Sequence, residues 1–100
     1  MSEDGVRADV WLWRARFFKT RSLAAQIVES GKVRLTRQGR ETRLDKASRT
    51  VKVGDRIVFV LSGRVTDVTV LDLGERRGPA SEAQGLYRRT EAPEADESPG

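Results

Sequence analysis

Apolar residues recur at every third or fourth position between residues 8 and 30, and at every second position over much of 33–73. The first spacing is that of helices with a buried face, the second that of half-buried strands. Ala8, Trp11, Leu12, Ala15 and Phe18 share one face of a first helix, predicted to begin near Asp9, an acid suited to a cap or a first turn. Val10, Trp13 and Phe17 form a second stripe nearly opposite, flanked by Arg7 and Arg14, while Arg16 borders the first. A helix apolar on two sides is sandwiched between layers or shows one side to a partner. The polar stretch Lys19–Ser22 then breaks the pattern, and Thr20 suits the N-cap of a second helix whose stripe is Leu23, Ala24, Ile27 and Val28. Gly31 stands where a left-handed C-terminal cap belongs.

The alternation Val33, Arg34, Leu35, Thr36 predicts a short strand, and Gly39 a turn after it. Residues 42–50 have no clear period and read as irregular. Strands flanking Gly54–Asp55, and a compact hairpin at Ser62–Gly63, complete an expected antiparallel sheet of short strands over 33–73. Pro79 suits the first position of a terminal helix on which Ala83, Leu86 and Tyr87 share a face. The expected layout is a flexible leader over 1–6, a binding domain over 7–75, a short helix within 76–90 and a disordered acidic tail over 91–100. The fold class is α+β: two N-terminal helices on a small twisted antiparallel sheet, then a short C-terminal helix.

Composition narrows the function. The 100 residues contain no cysteine and no histidine, which removes disulfides, the usual zinc sites and histidine general bases. No phosphate-cradling glycine loop and no paired carboxylates are visible, so neither an enzyme, a cofactor nor a metal is expected. No apolar run approaches the roughly 18 residues of a membrane span, and no signal-peptide pattern opens the chain, so the expected location is the cytoplasm. An interfacial membrane helix at residues 11–19 is disfavoured because its charges are spread around the wheel. The formal net charge of +4 is unevenly placed: the tail from Glu91 carries −4, and residues 7–40 carry +7. That concentration points to a polyanion, most often nucleic acid, RNA or DNA.

The order of residues then matters. Arg7 and Asp9, Leu12, Phe18, Thr20–Arg21, Ala24, Ile27, Gly31–Val33 and the run Val51, Val53–Asp55, Ile57 form a spaced set. The set resembles the RNA-binding module shared by the fourth small-subunit ribosomal protein, many pseudouridine synthases and bacterial tyrosyl-tRNA synthetases. The resemblance implies an αL motif at about residues 7–53, two helices and a strand whose basic edge grips structured RNA. A narrower match runs through Asp9, Trp11, Leu12, Trp13, Ala15, Arg16, Phe17, Lys19, Thr20 and Arg21, and again through Arg76–Tyr87. Together these resemble the bacterial fifteen-kilodalton heat-shock protein family. The chain departs from that pattern at Val10, where lysine is common, at Arg37–Gly39 in place of an Asn-Gly turn, and at Ala47 in place of proline.

The resemblance implies non-catalytic binding of rRNA and peptidyl-tRNA on a large ribosomal subunit with a stalled nascent chain, in ribosome rescue and the stress response. A general structured-RNA or tRNA chaperone, and an accessory domain acting in trans with an RNA-modifying enzyme, are the alternatives. A monomer is expected. Arg7, Lys19, Arg21 and Lys32 are the leading phosphate contacts, with Arg16, Arg34 and Arg37 behind them. Thr20 has a hydroxyl for a phosphate or for its own helix cap. Trp13 and Phe17 have two readings, a stack on a base or packing within the protein.

Overall fold

The computed structural model describes residues 5–90. The acidic tail expected over 91–100 lies outside the described residues. Helix α1 (Ala8–Arg14) and helix α2 (Arg21–Glu29) pack on each other and on a five-stranded antiparallel sheet. Its strands are β2 (Val33–Arg37), β3 (Arg40–Leu44), β5 (Arg56–Leu61), β6 (Arg64–Val70) and β7 (Tyr87–Arg89), in the spatial order β3-β2-β5-β6-β7. A second, two-stranded ribbon pairs β1 (Val6–Arg7) with β4 (Thr50–Val51). The fold therefore begins inside the expected leader, because Val6 pairs with Val51.

Period-two alternation decides which face of the sheet is covered. Leu35 lies opposite Ile57, Ile57 opposite Val68, and Phe59 opposite Thr66, all buried. Trp11, Leu12, Ala24 and Val28 of the helices close over them. The outer face carries Arg34, Thr36, Arg56, Val58 and Asp67, with the ion pairs Arg34–Glu41 and Arg56–Asp67 across neighbouring strands.

Helix α1 is shorter than the apolar wheel implied, and its end explains where Phe17 goes. Arg16 adopts φ 66°, while the Arg16 and Phe17 amides donate to the carbonyls of Trp13 and Leu12 at 3.0 and 3.1 Å. This is a Schellman ending with arginine in the left-handed position that glycine usually fills. It turns the chain so that Phe17 and Phe18 both enter the core. Phe17 meets Phe59 at 5.2 Å and Tyr87 at 4.7 Å between ring centroids. The opposite stripe drawn through Val10, Trp13 and Phe17 therefore does not exist as a helical face.

The C-terminal helix, α3 (Ala80–Ala83), is one turn long, continues as a 3-10 turn over Gln84–Leu86 and gives way to β7. Tyr87, expected on a helix, pairs instead with Val70. Residues 42–50, expected to be irregular, supply most of β3 and the first residue of β4, while Val51 lies on the strand expected before Gly54–Asp55. Both hairpins have two-residue loops, Gln38–Gly39 and Ser62–Gly63, with positive φ at every loop position, the type I′ signature.

Candidate nucleic-acid interface

The N-terminus of α1 meets the start of α2 around one buried carboxylate. Asp9 is only 3% exposed. Its oxygens accept from Arg7 Nε at 3.1 Å and Arg7 Nη2 at 3.2 Å, and lie 3.9 Å from Arg21 Nη2. Both arginines keep about half of their side-chain surface in water, at 49% and 51%. Asp9 is thus buried where it holds two exposed guanidiniums side by side. The hydrogen bond from Arg7 to Asp9 raises the Arg7 pKa, with Asp9's charge and a weaker pull from Glu29 adding to it.

Local structure places each partner. Arg7 sits on β1, pinned by its pairing with Thr50, and the Ala8 amide donates to the Arg49 carbonyl at 2.7 Å. Arg21 opens α2, whose cap is Thr20, its Oγ1 accepting from the Leu23 amide at 3.0 Å. The Thr20 oxygen is therefore engaged by its own helix, and its hydroxyl proton is what remains for a ligand. Lys19 is exposed beside this cap and has no ion pair among the described residues.

Lys32 follows Gly31 at the other end of α2, about 13 Å of helix away from Arg21. Gly31 has φ 79°, the left-handed cap expected of it. Arg43, in a stretch whose sequence showed no period, lies beside that turn, its Cδ 3.7 Å from where a Gly31 side chain would begin. It is a basic neighbour of Lys32 that the sequence did not signal.

The remaining three predicted contacts each have a partner within the protein. Arg37 donates from Nε and Nη2 to the buried Asp55 at 2.8 and 2.7 Å, and from Nη2 to the Thr50 carbonyl at 3.3 Å. The hydrogen bonds that Arg37 donates to Asp55 raise the Arg37 pKa. Arg16 donates to the Gly78 carbonyl at 2.7 Å, and Arg34 to Glu41 at 2.8 Å. Their guanidiniums tie strands and segments together. Of the two aromatic residues, Phe17 is core, while the half-buried Trp13 has its ring under Arg77, 5.8 Å from the centroid, and its carbonyl accepts from Arg77 Nε. At the C-terminal end Arg76 is paired with Glu82, and Arg89 lies over the Phe17 and Tyr87 rings.

The arrangement is a set of fixed cations on helix termini, without a paired acid and base or a cluster of metal ligands among the described residues. It can hold phosphate oxygens in defined positions. Residues 6–35 match the S4 domain family. The chain is 40% identical over 92 residues to the heat shock protein 15 homolog of Haemophilus influenzae, covering 92% of this chain and 66% of that one. It is 40% identical over 85 residues to heat shock protein 15 of Escherichia coli K12, covering 85% and 60%. It therefore spans a little under two thirds of the length of these relatives. A solved structure described as trimeric heat shock protein 15 of Vibrio cholerae superposes with a TM-score of 0.74 at 40% identity, over 87% of this chain and 83% of that one.

Proposed function

The chain belongs to the heat shock protein 15 family, and from that membership we propose that it is a non-catalytic RNA-binding protein whose first contacts are Arg7, Arg21 and Lys19, with Lys32 at the far end of α2. The observation that carries this reading is Asp9, a carboxylate buried between two exposed arginines. A surface built only for solubility gains nothing from burying an acid to fix its cations. A surface that must match phosphate spacing does.

The preferred RNA is that of a large ribosomal subunit carrying a stalled nascent chain, with rRNA and peptidyl-tRNA as partners, in the cytoplasm, and with rescue of the subunit as the outcome. In this reading a single chain is the binding unit. A general structured-RNA chaperone is the second reading. It is favoured by the cluster itself, which holds cations and caps and no side chain reserved for a base edge.

The test has two arms. Tagged protein in a sucrose gradient after translational stress is expected to migrate with large subunits; migration as free protein would remove the ribosomal reading. Lys19→Ala with Arg21→Ala is expected to fold normally and to lower the slope of log affinity against log salt by roughly 1.4 to 1.8, the loss of two phosphate contacts. An unchanged slope would remove these two residues from the interface.

A further inference from the structure

The structure has a second concentration of cations away from Asp9. A groove of about 460 Å³ runs between the β2–β3 hairpin and residues 49–50, and its polar lining is Arg37, Gln38, Arg40, Thr42, Arg49 and Thr50. No carboxylate lines it. The contrast with a cavity of about 380 Å³ near the C-terminal segment is direct: there Arg14 and Arg76 share the walls with Asp72, Glu75 and Glu82. One cavity has carboxylates on its walls, while the other has arginines and none, with Asp55 paired to Arg37 from outside the lining.

The three arginines of the groove have different states. Arg37 is held against the buried Asp55 and the Thr50 carbonyl. Arg40 and Arg49 are exposed and have no ion pair among the described residues. Both stand on rigid backbone. Arg40 follows the type I′ loop, and Arg49 is fixed where its carbonyl accepts from the Ala8 amide. The groove is continuous with the first cluster, since Thr50 on its wall is the β-partner of Arg7.

We infer that this groove seats a backbone phosphate of the bound RNA, contacted by Arg40 and Arg49 through their guanidinium forks, with Arg37 as the positioning residue beneath them. The inference rests on the RNA-binding reading above and extends it by a second seat one strand pair from Arg7. Arginine suits the task because its planar fork meets two phosphate oxygens at once. The hydroxyls of Thr42 and Thr50 can donate to the same anion.

The experiment uses the full chain and a structured RNA hairpin, with affinity measured by fluorescence anisotropy between roughly 50 and 200 mM salt. Arg40→Gln with Arg49→Gln is expected to lower the salt slope by roughly 1.4 to 1.8. Arg64→Gln with Arg88→Gln removes the same charge from the far hairpin and the opposite sheet edge, and is expected to leave the slope unchanged. Arg40→Lys with Arg49→Lys retains the charge and loses the fork, so affinity is expected to fall several-fold with the slope kept. Circular dichroism melting checks that each variant is folded, and the lysine pair reports on the groove should the glutamine pair fail to fold.

A wild-type slope in the glutamine pair would overturn the groove while leaving the Lys19–Arg21 surface standing. Equal losses in both glutamine pairs would overturn it too, since net charge alone would then explain them. If the glutamine pair keeps its RNA slope and loses affinity for polyglutamate instead, the groove is a seat for acidic polypeptide and the inference is wrong. Absence of RNA binding by the unmodified protein would strike the RNA reading itself.

Discussion

Single residues separate the cations that hold this protein together from those that are available to a ligand. Arg37 carries the clearest structural duty, because Asp55 is 2% exposed and its other bond, from the Lys52 amide at 2.8 Å, does not neutralise it. Arg37→Ala is expected to cost about 1.5–3 kcal/mol by leaving a buried carboxylate without its cation, measured by urea denaturation. Nothing in the order of residues shows that β2 and the turn before β5 converge, so in the sequence Arg37 reads only as a candidate phosphate contact. Asp67 provides a pH signature. The Arg56 guanidinium bonds to its carboxyl and holds it below the usual carboxylate range, against the opposing pull of burial. A carboxyl depressed in the folded state adds stability above its unfolded pKa of about 3.9, and that stability disappears as pH falls through the lower folded value. Asp67→Asn is expected to flatten the stability curve below pH ~5. Because Arg56 is half exposed, the loss near neutral pH is expected to stay within about 1 kcal/mol.

At the scale of elements, local chemistry was legible and tertiary chemistry was not. Thr20 caps α2, Gly31 ends it and Ser62–Gly63 closes the β5–β6 hairpin, each where its own side chain or φ preference places it. The end of α1 was invisible because a left-handed Arg16 has no signature such as glycine would leave. Its strain, about 1–2 kcal/mol for a residue with a Cβ, is offset by the bond from Arg16 Nε to Gly78. Arg16→Gly is accordingly expected to be near neutral in thermal unfolding, because it relieves the strain and loses the bond. Arg16→Ala loses the bond and keeps the strain, and is expected to cost about 1 kcal/mol. Strands β1 and β7 have two or three residues each, too few for a period to show, and exist because a partner strand is there to pair with them. In the type I′ loop, Ser62→Asn is expected to raise stability by a few tenths of a kcal/mol, since asparagine tolerates the left-handed conformation better than serine.

Across the whole of the described structure, the first helix and the turn after it are sewn to the segment over residues 72–78. Trp11 Nε1 donates to the Asp72 carbonyl, Arg14 to those of Leu73 and Gly74, Arg16 to that of Gly78, and Arg77 back to that of Trp13. Helix α1, which positions Arg7 and Asp9, is thereby roofed by residues some sixty positions later in the sequence. The S4 match ends at residue 35, yet the surface it describes depends on 72–78 for its support. A fragment ending at residue 70 is expected to lose amide exchange protection in α1 while the full chain keeps it. The same stitching has a consequence for synthesis. A chain emerging from a ribosome N-terminus first carries its basic residues into solution long before the segment that orders them. A half-made copy therefore carries the charge of residues 7–40 without the segment over 72–78 that holds α1 in place.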